Sequence, residues 1–217
     1  LSITSGGVLT FVSAPDYETK SSYTATVTAS DGTNSATQDI TINVTDVNDS
    51  APVFTSSSIF SAAENQTSIG TVTATDVDTD DSSIVFNISG SELSITSGGV
   101  LTFVSAPDYE TKSSYTATVT ASDGTNASTQ DITVTVTNVN DNTPSITSSA
   151  TFSAAENQTS IGTVTATDED GDTLTYSLSG TDASSMSIGS STGVLTFVSA
   201  PDYETKSSYT ATVTASD

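Results

Sequence analysis

The stretch Tyr115-Thr116-Ala117-Thr118-Val119-Thr120-Ala121 alternates apolar side chains with threonine over its whole length. This period of two predicts a β-strand with one buried and one solvated face, because successive side chains of a strand point to opposite sides of the sheet. The next apolar side chains, Ile132, Val134 and Val136, keep the same spacing. We therefore expect a second strand that contributes to the same core.

Shorter alternating runs precede these two strands, and glycine, aspartate, asparagine and proline separate them. A tight turn is expected at residues 97–99, Ser-Gly-Gly. The strands predicted for one repeat lie near residues 53–60, 69–75, 84–88, 93–95, 100–104, 115–121 and 132–136. Seven short strands within about 90 residues, each with one apolar face, are typical of a Greek-key β-sandwich of the immunoglobulin-like kind. The sequence thus predicts an all-β fold.

Internal repetition divides the chain into modules. Residues 1–49 match residues 93–141 with five differences, and Val8–Asp31 recurs unchanged as Val100–Asp123 and Val194–Asp217. Such repetition predicts a tandem array of β-sandwich modules stacked end to end. The modules that we expect are residues 1–49 (the last four strands of a module), 50–141 (a complete module) and 142–217 (a module without its last strand).

The charge balance of the chain is strongly acidic. Twenty-six aspartates and glutamates stand against three basic residues, which gives a net charge of -23. Nucleic-acid binding is excluded because it requires a basic surface, and acidic lipid surfaces are excluded for the same reason. No apolar run approaches the roughly 20 residues that a membrane-spanning helix needs. Self-repulsion of this size predicts that bound cations neutralise part of the charge.

The available ligand types narrow the choice of cation. The chain contains no cysteine and no histidine, so thiolate and imidazole ligation of a transition metal is not possible. Only oxygen ligands remain, and oxygen ligands favour hard cations such as calcium or magnesium.

The acidic residues concentrate in short motifs near the predicted strand ends. In the complete module these motifs are Ala63-Glu64-Asn65, Asp76-Val77-Asp78, Asp108-Tyr109-Glu110 and Ala121-Ser122-Asp123, and the linker Thr137–Pro144 follows them. The linker has an earlier copy at Thr45–Pro52, and the acidic motifs recur in the third module with Glu156, Asp202 and Glu204 among them. Because antiparallel strands end at opposite ends of a sandwich, we expect the motifs to gather at its two poles, beside the linkers.

In this order the motifs resemble those of the cadherin repeat, and the resemblance extends over the whole chain. It implies an extracellular β-sandwich module that binds calcium at the joints between modules. The ligands that it implies at the first joint are Asp16, Glu18, Asp46, Asn48, Asp49, Asp76, Asp78 and Asp123. Those that it implies at the second joint are Glu64, Asp108, Glu110, Asn140, Asp141, Asn142, Asp168, Asp170 and Asp217.

Three positions depart from the cadherin pattern. Asn138 stands where the first linker has Asp46, which removes one charge from the second joint. Ser50 replaces the last asparagine of the first linker, and Tyr109 stands where the family usually has arginine.

Two other kinds of site fit the sequence less well. Asp168–Asp172 resembles the start of an EF-hand loop, but its twelfth position is Ser179 instead of glutamate and no helix pattern flanks it. Catalysis has no histidine, cysteine or nucleophile-elbow serine to support it. Paired carboxylates that recur in every module are better explained as ligands than as the acid and base of a glycosidase. The chain is therefore predicted not to be an enzyme.

Two functional classes remain. The first is a calcium-stiffened stalk or filament segment of a large adhesin at the cell surface, whose nearest partners are identical modules of the same chain. The alternative is a module that itself makes homophilic or glycan-binding contacts. The absence of tryptophan favours the stalk, because the adhesive exchange of the family relies on one. The uniform, acidic repeats favour a bacterial surface protein, and an open strand edge in an end module predicts self-assembly.

Overall fold

The computed structural model describes residues 1–78 and 83–217. These residues pack as two compact units: unit 1 contains residues 1–107 and 114–136, and unit 2 contains residues 108–113 and 137–217. The regular structure is almost entirely β, with a short 3-10 turn at Ala183–Ser185. The predicted all-β class is therefore confirmed.

The first part of unit 1 contains four strands. They are β1 (Ser2–Ile3), β2 (Leu9–Thr10), β3 (Ser22–Ser30) and β4 (Ser35–Asn43). β1 pairs with β2, and β3 pairs with β4 in an antiparallel hairpin. Ile40 and Ile42 of β4 are half-buried, while the threonine between them is exposed, as expected for a strand with one apolar face.

The remainder of unit 1 forms a sandwich of two sheets. Its strands are β5 (Val53–Phe54), β6 (Ile59–Ala63), β7 (Ser68–Thr71), β8 (Ala74–Thr75), β9 (Val85–Ile88), β10 (Leu93–Ile95), β11 (Val100–Phe103), β12 (Ser114–Ser122) and β13 (Ala127–Thr137). One sheet has the order β6-β13-β12-β9, and the other has the order β10-β11-β7. β5 and β8 form a separate antiparallel pair. β6 and β13 are neighbours in the sheet but distant in sequence. The chain therefore crosses over between them, as the predicted Greek key requires.

Two of the predicted strands are wrong in extent. The run near 53–60 is not one strand but β5 and β6, which belong to different sheets, and the run near 69–75 is likewise divided into β7 and β8. The Ser57 hydroxyl accepts a hydrogen bond from Ile59 N at 3.0 Å, a local turn that competes with strand pairing. The chain therefore changes sheets at this point.

The core lies between the two sheets of this sandwich. Val119, Val134 and Leu101 have no exposed surface, so the inward faces predicted for β12 and β13 are confirmed. Phe103 and Tyr115 pack edge to face across the core with ring centroids 5.1 Å apart. The packing of the sandwich fixes the strand ends, and the strand ends carry the acidic motifs.

Unit 2 contains a less complete set of strands. They are β14 (Ser145–Ile146), β15 (Ser160–Thr163), β16 (Ala166–Thr167), β17 (Thr175–Ser179), β18 (Met186–Ile188), β19 (Val194–Phe197) and β20 (Thr212–Ser216). β15, β19 and β18 form one sheet, and β17 pairs with β20. Among the described residues β20 has no second neighbour, and residues 151–155, which correspond to β6, form no strand.

Candidate metal centres

The first linker carries a cluster of three carboxylates within unit 1. Glu18 lies in the loop between β2 and β3, Asp46 follows β4, and Asp78 follows β8. One oxygen of each lies within 4.8 Å of the corresponding oxygens of the other two. A backbone N–H lowers the pKa of Glu18, but lost hydration and the Asp16 and Asp78 carboxyls outweigh it and raise this pKa to about 7. Such crowding of like charges is what a cation would relieve.

The two carboxylate oxygens of Asp78 have different surroundings. Its Oδ2 accepts hydrogen bonds from Asp49 N, at 3.0 Å, and from Ser50 N. The Ser50 N–H is the main reason that the pKa of Asp78 is lowered. Its Oδ1 is buried and accepts no hydrogen bond from the described residues. A buried, unsatisfied carboxylate oxygen is costly unless a cation binds it.

A second pair of polar side chains, those of Asp123 and Asn126, lies at the turn between β12 and β13. Asp123 Oδ1 accepts hydrogen bonds from Thr125 N and Asn126 N, both at 2.6 Å. Desolvation opposes these N–H groups, but they prevail and lower the pKa of Asp123. Asn126 Nδ2 in turn donates to Asn48 Oδ1 at 2.9 Å, which holds the linker asparagine against the β12–β13 turn. Asp123 Oδ2 is buried, and no donor among the described residues reaches it.

The second linker repeats this arrangement within unit 2. Glu110, Asp141 and Asp170 have carboxylate oxygens within 4.8 Å of one another. Asp170 Oδ2 accepts from Asp141 N at 3.0 Å and from Asn142 N at 2.8 Å, as Asp78 does at the first linker. Both oxygens of Asp168 are buried and have no donor among the described residues. The two joints therefore share one design.

The two clusters nevertheless differ in composition. Asp46 of the first linker is a member of its cluster, whereas Asn138 at the same place in the second linker donates its Nδ2 to Asp170 O at 2.9 Å. Asn142, which replaces Ser50, donates to Asp141 Oδ1 at 3.0 Å and to Asp170 Oδ1 at 3.3 Å. The carboxamides of Asn138 and Asn142 thus donate hydrogen bonds to oxygens of the second cluster.

Other predicted ligands occupy different positions. Asp16 and Asp108 turn towards their own loops, where each Oδ2 accepts from a threonine hydroxyl at 2.8 Å, of Thr19 and Thr111 respectively. These hydroxyls are the main reason that the pKa of each aspartate is lowered. Asp76 Oδ1 accepts from Asp78 N at 2.9 Å and so orients the clustered residue. The remaining predicted ligands are Glu64, which is 3% exposed, Asn140 and Asp217, which are exposed, and Asp49 and Asn48, which belong to the first linker.

A third acidic cluster was not assigned from the sequence. Glu156, Asp202 and Glu204 bring carboxylate oxygens within 4.8 Å of one another in unit 2, and all three residues are exposed. Glu156 Oε2 accepts from Tyr203 N at 3.1 Å. The signal that identifies this cluster is its recurrence, because the same motifs supply Glu64, Asp108 and Glu110 one module earlier. No comparable sequence pattern indicated that Asn126 donates a hydrogen bond to Asn48 of the first linker.

The chemistry of these donors fits a hard divalent cation. All the clustered side chains offer oxygen, several are carboxylates at close range, and buried oxygens of Asp78, Asp123 and Asp168 lack donors among the described residues. Calcium accepts six to eight such ligands in flexible geometry and tolerates backbone carbonyls and carboxamides among them. Residues on strand ends and on a linker can supply that number together.

Comparison with known proteins decides the family. The cadherin domain model matches residues 56–138 and 149–217. The chain belongs to the cadherin family. Cadherin domains are extracellular adhesion modules of cell-surface proteins, and calcium binding is general among them. The chain is accordingly an extracellular, cell-surface segment, and its described residues include no helix long and apolar enough to cross a membrane.

The cadherin relatives are much longer proteins. The chain is 35% identical over 181 residues to the human Cadherin EGF LAG seven-pass G-type receptor 1, which covers 76% of this chain and 6% of the receptor. It is 35% identical over 213 residues to human Protocadherin Fat 4, which covers 88% of this chain and 4% of that protein. These cadherins come from animals, so the bacterial origin that the repeats favour stays a prediction.

Solved cadherin structures have the same fold. Mouse Cadherin-23 EC22-24 superposes with a TM-score of 0.72 at 27% identity, over 94% of this chain and 71% of that one. The Protocadherin gammaB7 EC3-6 cis-dimer structure superposes with a TM-score of 0.73 at 28% identity, over 86% of this chain and 54% of that one. The predicted sandwich and the predicted resemblance are both confirmed.

Proposed function

We propose that this cadherin segment is part of a calcium-stiffened extracellular stalk. The observation that carries the proposal is the carboxylate cluster found at each of the two linkers, Glu18-Asp46-Asp78 and Glu110-Asp141-Asp170. Each cluster joins a linker residue to residues of folded loops, so one cation would tie the linker to those loops. Rotation about an occupied linker would have to break coordination.

The ligand sets proposed for the two joints are those that the motifs imply. At the first joint they are Asp16, Glu18, Asp46, Asn48, Asp49, Asp76, Asp78 and Asp123, and at the second joint Glu64, Asp108, Glu110, Asn140, Asp141, Asn142, Asp168, Asp170 and Asp217. Within these sets, the clustered carboxylates are the calcium ligands that the geometry supports best. Asp16 and Asp108 come after them, because each Oδ2 accepts from a threonine hydroxyl and each Oδ1 accepts from the backbone N–H of the same threonine at 3.2 Å.

Direct adhesion by the module surface is the second candidate. It draws support from the structural likeness to a protocadherin cis-dimer. Two features of this chain oppose it: there is no tryptophan, and the net charge of -23 makes like surfaces repel. We therefore propose that these modules act as spacers and that contacts with other cells are made elsewhere in the protein.

Small-angle scattering during a calcium titration tests the stalk. Extracellular calcium sites have dissociation constants of about 10⁻⁴ to 10⁻³ M, so the maximum dimension and the thermal midpoint should both rise over that range. If calcium stood at about 100 times the dissociation constant, each independent site would add roughly 2.7 kcal/mol to the folded state. A chelator should reverse both changes.

Three outcomes would count against the stalk. The first is that magnesium has the same effect as calcium at the same concentration, which is not expected because magnesium requires a smaller octahedral site. The second is that a chelator changes neither the maximum dimension nor the thermal midpoint. The third is that beads coated with the segment aggregate at physiological salt. The first two outcomes remove calcium stiffening. The third would favour adhesion by the module surface, and glycan arrays would then identify whether the partner is a sugar or a second copy.

A further inference from the structure

Asp78 and Asp170 make one contact that calcium ligation does not explain. Each directs its Oδ2 at two consecutive backbone N–H groups of a linker: Asp49 and Ser50 at the first, Asp141 and Asn142 at the second. The N···O distances to Asp49 and Asp141 are both 3.0 Å, although the two sites lie 92 residues apart in sequence. An arrangement found twice in the same form is a property of the joint.

We infer that Asp78 and Asp170 are positioning residues that fasten the end of each linker to the loop of the following module, with or without calcium. Hydrogen bonds from backbone N–H groups to an ionised carboxylate are about twice as strong as those between neutral groups. Both linker amides share a single oxygen, which leaves Oδ1 to other contacts. The inference deepens the proposed function but does not depend on it, because no contact in the fastening requires a cation.

Further contacts extend this fastening along each linker. At the first linker, Asn126 Nδ2 donates to Asn48 O at 3.3 Å and to Asn48 Oδ1 at 2.9 Å. At the second linker, Asn138 Nδ2 donates to Asp170 O at 2.9 Å. Residues 48–50 are thereby tied to the module that follows them, and the carboxamide of Asn138 is tied in a similar way.

The first linker is held at its other end by the preceding module. Val44 N donates to Ser21 O at 2.9 Å, which continues the β3–β4 hairpin beyond Asn43. Between Val44 and Asn48 lie residues 45–47, all of them exposed. Bending of the calcium-free first linker is therefore confined to these three residues. Asp46 is the middle one and belongs to the carboxylate cluster, so calcium acts at the hinge while Asp78 acts beyond it.

Amide hydrogen exchange in the presence of a chelator tests this assignment. The amides of Asp49, Ser50, Asp141 and Asn142 should exchange at least about tenfold more slowly than the exposed amides of residues 45–47. Asp78→Ala should remove the protection at Asp49 and Ser50 and leave Asp141 and Asn142 unchanged. Asp170→Ala should do the reverse, so each joint serves as the internal reference for the other.

Two further variants separate positioning from ligation. Asp78→Asn keeps an acceptor oxygen but loses the charge, so it should restore much of the protection while calcium binding weakens. Glu18→Gln removes a clustered carboxylate for which the described residues show no hydrogen bond from a linker amide. It should weaken calcium binding without changing linker exchange. The amides of Val119 and Ile132 report whether the variants keep the fold.

Unprotected Asp49 and Ser50 amides in the wild-type chain under chelator would overturn the inference, as would full protection in Asp78→Ala. Neither result bears on calcium stiffening, which scattering measures separately. Protected linker amides together with no response to calcium would leave the fastening in place and remove the stalk.

Discussion

At the scale of single residues, position 46 and its counterpart 138 distinguish the two joints. Asp46 adds a carboxylate to the first cluster, whereas Asn138 donates a hydrogen bond to the backbone of Asp170. Calcium affinity follows the number of charged ligands in a site. A carboxylate in place of Asn138, or a carboxamide in place of Asp46, should therefore change the calcium affinity of that joint.

The reciprocal variants Asn138→Asp and Asp46→Asn test this difference. Asn138→Asp should strengthen calcium binding at the second joint by roughly tenfold, which is about 1.4 kcal/mol, and Asp46→Asn should weaken the first joint by a similar factor. Calorimetric titration of both variants and the wild type measures the change. No change of calcium affinity in either variant would contradict the assignment.

The motifs indicated where carboxylates concentrate along the chain, but not which group each carboxylate oxygen contacts. In the structure Glu18 lies beside Asp78 in one cluster, and Glu110 lies beside Asp170 in the other. The motifs did not reveal that Asp16 engages the Thr19 hydroxyl, because that contact depends on the turn geometry of the loop. Carboxylate positions follow from strand ends, but the partners of individual oxygens follow from loop conformations that sequence patterns do not specify.

A pH effect is expected at Asp182, away from the joints. Lys206 Nζ pairs with its Oδ1, and Thr210 N donates to its Oδ2 at 2.8 Å. The Lys206 side chain, followed by the Thr210 N–H, holds the pKa of Asp182 below its ordinary value of 3.8. Since the folded pKa is the lower one, the pair stabilises the fold above pH 3.8 and loses this effect as the pH falls through the folded pKa.

Asp182→Asn should therefore lower the thermal midpoint at pH 7 by a small amount, as is usual for a surface ion pair. The difference from the wild type should vanish well below the folded pKa. Asp172→Asn, at an exposed position of the same unit, makes the same change in net charge and serves as the control. A midpoint difference that persists in strong acid would show that the pair is not responsible.

At the scale of elements, long alternating runs were predicted well and two-residue strands were not. β12 and β13 extend over nine and eleven residues, and their inward positions were correct. β5 and β8 contain two residues each, too few for any periodicity, and their pairing with each other was not foreseen. The alternation of apolar and polar residues therefore predicted where the long strands lie. The points at which the chain crosses from one sheet to the other depend on backbone hydrogen bonds, which the alternation does not show.

Gly99, in the turn between β10 and β11, contacts the segment where the chain passes from β7 to β8 and so changes sheets. Gly99 has a φ of 86°, and its carbonyl accepts from Val72 N at 2.8 Å. A Cβ at Gly99 would lie 2.2 Å from Val72 O, whereas one at Gly98 would find only Thr96 Oγ1, at 4.0 Å. The turn thus brings two backbone segments into direct contact.

Gly99→Ala should cost on the order of 1–3 kcal/mol, because it adds backbone strain and a clash with another main chain. Gly98→Ala should change the free energy of unfolding by less than about 0.5 kcal/mol. Denaturant unfolding of the two variants provides the comparison. Equal destabilisation by both substitutions would mean that the Val72 contact does not matter.

At the scale of the whole chain, near-identical sequences adopt different structures according to their neighbours. Val8–Asp31, Val100–Asp123 and Val194–Asp217 are the same sequence. Their longest strands are β3 and β12, with nine residues each, and β20, with five. β12 lies between β13 and β9, while β20 has only β17 beside it among the described residues. β3 also has a single neighbour, β4, but β4 is the strand that follows it in the chain, as β13 follows β12. A strand of this sequence reaches nine residues where it pairs with the strand that follows it in the same module.

The same reasoning applies to residues 151–155, Thr-Phe-Ser-Ala-Ala. Their counterpart β6, Ile-Phe-Ser-Ala-Ala, is a strand beside β13, but residues 151–155 form none. Phe152 still packs over Gly162, where a Cβ would lie 2.7 Å from the ring, so the segment stays close to its module. By analogy with the order β6-β13-β12, we expect an added strand to fit between residues 151–155 and β20.

Extending the chain after Asp217 with the sequence of residues 124–137 should fill this position. The added strand offers hydrogen bonds to both open edges, so we expect amide protection of residues 151–155 and 207–211 and a higher thermal midpoint of unit 2. The unextended chain should exchange rapidly at these residues and associate with itself as concentration increases, since unpaired edges recruit other strands. Sedimentation and amide exchange, with a scrambled extension as the control, measure both effects. Slow exchange at residues 151–155 and 207–211 in a verified monomer without the extension would refute the open edge, because those amides would then already have partners.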